Sequence, residues 1–259
     1  MMNLVLYKVN WQEQICQVCK EKKNRRHYNM IIRGYQRTTL VDFPGQVAAI
    51  IFTAGCNLRC GFCYNKSLVI NDPSLPLYAE EEILEDLKNR KHLLDALVIC
   101  GGEPTIHQDL PSFIKKVKAL GYLVKLDTNG TNPDMIKQLL NEKLIDYIAM
   151  DIKAPLHHYL SITKVEVKKE LLQESIRFIL QAKVEHEFRT TLLKQFHTKE
   201  DIESMAKEIT GGKKYYLQLC SKKGTLIDES FKTEEAWNPK VLQEMIERAN
   251  EFVSTELRI

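Results

Sequence analysis

Nowhere in this 259-residue chain does an apolar run approach the length of a membrane span; the longest are strand-sized. No membrane partner is expected from such a pattern. Neither sign of charge dominates, because 37 Lys and Arg stand against 34 Asp and Glu and leave only +3. So weak a field gives no case for nucleic acid as the main partner. The start, Met1-Met2-Asn3-Leu4-Val5-Leu6-Tyr7-Lys8, lacks the basic opening, long apolar centre and small-residue cleavage site of a secretory signal. A cytoplasmic location is therefore expected. The seven cysteines are odd in number and three lie too close together for ordinary disulfide pairing. In a reducing compartment they read as metal ligands or free thiols. With 44% apolar and 27% charged residues, the rest is the composition of an ordinary soluble protein, long enough for one large α/β domain or two small ones.

Residues 1–29 differ from the rest of the chain: they are polar, carry Lys22-Lys23 and Arg25-Arg26-His27, and include Cys16 and Cys19 as a lone C-x2-C that needs two more ligands to close a zinc site. They read as a loosely ordered extension, or as sequence upstream of a start at Met30. From Ile31 the pattern becomes regular. Gln46 to Phe52 and Leu93 to Cys100 are nearly continuous apolar runs of the kind found in strands buried on both faces. Further strands are expected at Tyr122–Asp127, Asp146–Asp151, Val184–Thr191 and Lys214–Leu219. Between them lie helical patterns: Glu80 to Arg90, a helix capped by Asp109 and stopped by Gly121, one opened by Asn132-Pro133, Val165 to Gln181, and one opened by Thr198-x-x-Asp201. A last helix opens at Asn238-Pro239. Six alternating strands and helices imply right-handed βαβ units and a parallel sheet, too few to close an eight-unit barrel. The expected fold is a partial (β/α)6 TIM-like barrel over residues 30–219, followed by a C-terminal loop and helix over 220–259; periodicity alone leaves a flat doubly wound sheet open.

The first strand runs into Cys56, Cys60 and Cys63, spaced C-x3-C-x2-C. Thiolates are soft ligands suited to iron–sulfur clusters and zinc. Three in one loop can hold three corners of a four-iron cluster and leave the fourth iron open for chemistry, although a zinc knuckle has similar ligands. The other strand ends deliver Gly101-Gly102-Glu103-Pro104, Asp127-Thr128-Asn129-Gly130, Asp151-Ile152-Lys153 and Arg189-Thr190. In a barrel these ends share one rim, where active sites lie. Paired glycines let another group approach the backbone closely, and Glu103 can accept a hydrogen bond from a ligand ammonium. Cys100 reads as a buried thiol, since a fourth thiolate would block the open iron.

The cysteine spacing, followed some forty residues later by Gly-Gly-Glu-Pro after a strand, resembles the signature of the radical S-adenosylmethionine (SAM) enzymes. The resemblance implies a [4Fe-4S] cluster on Cys56, Cys60 and Cys63, which carry the catalysis, and SAM as cofactor. It further implies that Gly101, Gly102, Glu103 and Pro104 bind the amino end of SAM, that Phe62 packs near the adenine or serves as a core phenylalanine, and that Asp127 and Asn129 form the ribose and carboxylate side. Asp151 and Lys153 resemble the pair that holds the SAM carboxylate in activases; Arg189 pairs with a SAM or peptide carboxylate, or makes a structural salt bridge. The stretches Gly34–Gly45, Val124–Thr131 and Met150–Pro155 are similar to anaerobic ribonucleoside-triphosphate reductase activating proteins. That likeness implies a one-electron split of SAM and removal of hydrogen from a backbone glycine of the anaerobic reductase or another glycyl-radical enzyme, with a flavodoxin or ferredoxin-type electron donor. Two features depart from relatives of that kind: no cysteine-rich insertion lies between Tyr64 and Leu93, and the last histidine is His197. Another small radical SAM enzyme, such as a 7-carboxy-7-deazaguanine synthase, is the alternative, and a noncatalytic metal-binding protein on the same scaffold is a second.

Overall fold

Runs of β-branched and apolar residues bounded by glycine and polar turns build a single sheet in this structure, a computed structural model that describes residues 30–220, 225–233 and 236–258. The amino-terminal extension, with Cys16 and Cys19, lies outside the described residues. Strands β1 (Ile32–Thr39), β2 (Ala48–Thr53), β3 (Ala96–Gly101), β4 (Leu123–Thr128), β5 (Tyr147–Asp151), β6 (Glu185–Leu192), β7 (Tyr215–Leu219) and β8 (Thr255–Arg258) lie side by side in chain order. From β2 to β8 every pairing is parallel; β1 alone runs antiparallel, against β2. The six expected parallel strands are all present, and β1 and β8 extend the sheet at its two edges.

Helices α1 (Lys66–Val69), α2 (Glu80–Asn89), α3 (Leu110–Ala119), α4 (Pro133–Asn141), α5 (Tyr159–Thr163), α6 (Lys169–Gln181), α7 (Lys199–Glu208) and α8 (Pro239–Asn250) fill the connections. Alternation of side chains along each strand divides the interior in two. Ala49, Ile51, Leu97, Ile99, Val124, Leu126 and Ile148 face the helices in the main core. Ala48, Ile50, Ala96, Val98 and Tyr147 point to the other face, where they meet Phe43 from the β1–β2 loop. The Phe43 ring lies 5.6 Å from that of Tyr147, so the Thr38–Gly45 stretch supplies an apolar plug at the amino-terminal ends of the strands.

Caps set the helix starts, and one differs from expectation. Thr198 and Asp201 form a reciprocal capping box on α7, and the Asn132 side chain accepts from the Met135 amide to open α4. Asp109 precedes α3 without a side-chain cap bond. Its Oδ2 instead accepts from the Met30 amide at 2.6 Å, which ties the chain entering β1 to the start of α3.

Candidate active site

The loop leaving β2 bends at Gly55, and its cysteines are held by backbone bonds rather than by disulfides. The Arg59 amide donates to the Thr163 carbonyl at 2.9 Å, and its guanidinium folds back on the Cys56 and Leu58 carbonyls at 2.6 and 2.8 Å. From the far end of the chain, the amides of Ile227 and Asp228 donate to the Cys63 and Gly61 carbonyls at 3.1 and 2.9 Å. The Leu58 amide lies 3.4 Å from the Cys56 sulfur, a donor aimed at a prospective metal ligand.

Burial dominates the ionisation of these thiols. It pushes Cys56 up to about 12, with Glu103 adding to the rise, and Cys60 up to about 11 against the opposing pull of Lys153. Cys63 is raised by burial too. A bare thiolate is therefore disfavoured in this loop, and a cationic metal core reverses that preference because it binds the thiolate directly. Among the described residues no three His, Cys, Asp or Glu side chains converge to hold one metal ion. A polynuclear cluster, with its irons at separate corners, does not require them to. Three free soft donors in a half-buried loop thus fit an iron–sulfur cluster.

The two glycines at the end of β3, Gly101 and Gly102, are crowded by neighbouring backbone. A Cβ on Gly101 would meet the Thr53 backbone at 2.3 Å, and one on Gly102 would meet the Gly55 carbonyl oxygen at 1.8 Å. The Gly102 and Glu103 amides donate to the Thr53 and Gly55 carbonyls, both at 2.8 Å. This close approach of backbone to backbone clasps the end of β3 to the root of the cysteine loop. Pro104 then starts a short 3-10 turn, Pro104–Ile106.

Glu103 is 1% exposed and already engaged. Its Oε1 accepts from the Thr105 amide and hydroxyl at 3.1 and 2.6 Å and from the Thr128 hydroxyl at 2.7 Å. Oε2 accepts from the Asn129 amide at 2.7 Å, and that oxygen retains acceptor capacity. Burial raises the Glu103 carboxyl in spite of these bonds. Asn129 in turn donates to the Asn57 side chain at 2.9 Å, and Asn57 donates to Thr131 at 2.7 Å. Sequence reasoning missed Asn57 and Thr128, although each stands beside a residue it had singled out.

Asp127, Asp151, Lys153 and Arg189 come together as one half-buried ion network near the carboxyl ends of β4, β5 and β6. Arg189 donates through Nε to Asp151 at 2.7 Å and through Nη1 to Asp127 at 2.9 Å. Lys153 donates to the second oxygen of Asp151 at 2.7 Å. Burial would raise the Asp151 carboxyl, but Arg189 and Lys153 outweigh it and hold the group well below the usual carboxylate range. Lys153 is desolvated, yet Asp151 and Cys60 raise it. With side-chain exposures of 14% and 28%, Lys153 and Asp151 are not a solvated surface pair.

Lys125, 2% exposed and in the middle of β4, also pairs with Asp127. Its signal was legible as a lone lysine in an apolar strand. The Phe62 ring is 8% exposed, packs edge-on to Phe231 at 6.4 Å and lies 5.8 Å from the Lys153 ammonium. His197 faces the Lys153 backbone: Nδ1 accepts from the Leu193 amide at 2.9 Å, so Nε2 carries the proton donated to the Lys153 carbonyl at 3.0 Å. Cys100 is a free thiol that burial pushes up to about 12, set near Asp127 and Arg189 rather than among the loop cysteines.

The profile of the Radical SAM superfamily matches residues 50–209, from β2 through α7 and across every strand end described above. A Methanocaldococcus jannaschii protein named "Putative glycyl-radical enzyme activating enzyme" is 32% identical over 228 residues, covering 86% of this chain and 93% of its own length. A 7-carboxy-7-deazaguanine synthase of Halobacterium salinarum is 35% identical over 89 residues, 34% of this chain and 33% of that protein. Among solved structures, Streptococcus suis SuiB bound to S-adenosylmethionine superposes with a TM-score of 0.62 at 14% identity, over 79% of this chain and 48% of SuiB, a likeness of fold. With the profile spanning the thiol loop and the charged rim alike, the chain belongs to the radical SAM superfamily, whose enzymes use a [4Fe-4S] cluster and S-adenosylmethionine in oxidoreductase chemistry.

Proposed function

We propose that this chain is an activase that installs a glycyl radical on a partner enzyme, with an anaerobic ribonucleoside-triphosphate reductase as the first candidate partner and a flavodoxin or ferredoxin-type protein as electron donor. The observation that carries the reading is the relative matched over 93% of its length, whose name specifies activation of a glycyl-radical enzyme; the synthase match covers only a third of either protein. When bound, the reduced cluster and SAM supply one-electron cleavage of the sulfonium and, from it, abstraction of a hydrogen atom.

The chain's own residues do the binding and positioning. Cys56, Cys60 and Cys63 hold the cluster. Lys153 and Arg189 offer two fixed cations to a ligand carboxylate, and Asp151 keeps both in place. The free capacity of Glu103 Oε2 and the Gly101-Gly102-Glu103-Pro104 turn would take the amino end of SAM, Asp127 and Asn129 would serve its ribose and carboxylate side, and Phe62 would pack against its base. Burial of the thiol loop excludes water and tunes the cluster potential.

Anaerobic mixing of the reconstituted, reduced protein with SAM and the candidate reductase is expected to give the doublet of a glycyl radical in electron paramagnetic resonance. SAM cleavage without any protein radical, accompanied by turnover of a small heterocyclic substrate, would overturn the activase reading in favour of a synthase.

A further inference from the structure

Below the charged strand ends, the face of β5 to β8 turned away from the helices carries a second tier of charge that no part of the proposed chemistry uses. Glu187 is 1% exposed, two residues before Arg189 on β6 and therefore on the same face of the strand. Its carboxylate accepts from the Tyr147 hydroxyl at 2.8 Å and from both terminal nitrogens of Arg258 at 3.2 and 3.3 Å. Arg258 sits on β8, the last strand, with its guanidinium 3.6 Å from the centre of the Tyr216 ring. A second cation stands within reach: Arg189, whose Nη1 lies 3.9 Å from Glu187 Oε1 while it donates to Asp127 at 2.9 Å. One guanidinium thus stands between two carboxylate claims.

A buried carboxylate stripped of its partner draws in whatever cation can reach it. From this competition we infer that Arg258 is a positioning residue: by satisfying Glu187 with a two-pronged grip, it leaves Arg189 free to stay on Asp127 and Asp151 at the SAM pocket. The inference rests on the assignment of Arg189 and Asp151 to that pocket. It gives the terminal strand a task distinct from sheet extension. It also explains why an acid as deeply buried as Glu187 is tolerated one tier beneath a binding site that needs its own arginine.

Rescue tests the idea, read as SAM affinity by equilibrium dialysis on the cluster-reconstituted protein. Arg258→Met keeps an unbranched side chain and removes the guanidinium, with its grip on Glu187 and its contact with the Tyr216 ring. It is expected to weaken SAM binding about tenfold, the scale of coupling within one ion-pair network. Adding Glu187→Gln removes the competing carboxylate, so the double variant is expected to bind SAM within about twofold of the parent. A loss due only to a loosened strand would not be restored by a second change in the same tier. If R258M binds SAM as the parent does, or if the double variant is as weak as the single, the inference fails. Should R258M not accumulate as folded protein, R258K, which keeps the charge but not the fork, is expected to weaken binding about threefold, and unchanged affinity there overturns the inference. Arg189→Gln separates the two layers of argument. Weak SAM binding in R189Q with normal binding in R258M sinks the inference alone, whereas normal binding in R189Q sinks the pocket assignment and the inference with it.

Discussion

Replacing Gly102 with alanine tests the clasp between β3 and the cysteine loop. The residue is not in the left-handed region, so backbone strain does not enter. The cost is steric: the added Cβ would sit 1.8 Å from the Gly55 carbonyl oxygen, where ordinary contact begins at 3.4 Å, and the obstructing atom is backbone that cannot rotate away. Relief requires the end of β3 to part from the loop root, which stretches the hydrogen bonds that the Gly102 and Glu103 amides donate to the Thr53 and Gly55 carbonyls. Overpacking of about 1–3 kcal/mol and about 1 kcal/mol for each bond lost give an expected destabilisation of about 3–5 kcal/mol. Urea unfolding of the metal-free protein measures it, and iron content after anaerobic reconstitution reports on the loop. Gly45→Ala is the control, at a glycine with φ +72° and no neighbour within 4 Å, where about 1 kcal/mol is expected. G102A with the unfolding midpoint and iron content of the parent would refute the clasp.

Other expectations arise from the same geometry. Serine at Cys56, Cys60 or Cys63 should strip most of the bound iron while Cys100→Ser should not, as iron analysis and the visible spectrum will show; iron retained by any of the first three removes it from the ligand set. For Asp151, a folded-state pKa held below the ordinary value means that its contribution is complete above about pH 4 and is lost as pH falls through the lower, folded value. Asp151→Asn should therefore cost about 3 kcal/mol at pH 7 and progressively less below about pH 4, so that the stabilities of parent and variant draw together as pH falls toward the depressed folded value. Curves that stay parallel would remove the ion network from the stability of the fold. Phe231→Ala takes away the ring packed against Phe62 and Phe196, at 6.4 and 6.1 Å, and should cost about 3–5 kcal/mol with weaker iron retention; a loss under about 1 kcal/mol would mean the loop does not lean on it.

Much of the architecture could be read from the residues because a strand buried on both faces has no alternative to a continuous apolar run. Leu93 to Cys100 shows this most plainly, and its strand is observed at Ala96–Gly101. The edge strands obey no such constraint. In β1, Ile-Arg-Gly-Tyr-Gln-Arg-Thr-Thr is half-exposed and polar, and β8 is only four residues with charged Glu256 and Arg258 on the face that a core strand would make apolar. The site divides similarly. Thiols and charged residues at strand ends stand out by type and place, whereas the identity of what presses on Gly102, or what engages Glu103, depends on the register of strands distant in sequence. Asp109 illustrates the limit: its position is that of a cap, but an amide from Met30 claims its carboxylate.

The amides of Ile227 and Asp228 that latch onto Cys63 and Gly61 carry a consequence for biogenesis. A ribosome delivers the thiol loop long before it delivers the segment that roofs it, so a nascent chain exposes three sulfurs without their lid. Stable loading of a cluster into that nest is therefore expected only once the Ile227–Asp228 segment has been made, and chains cut short ahead of it should lose iron most readily to oxygen.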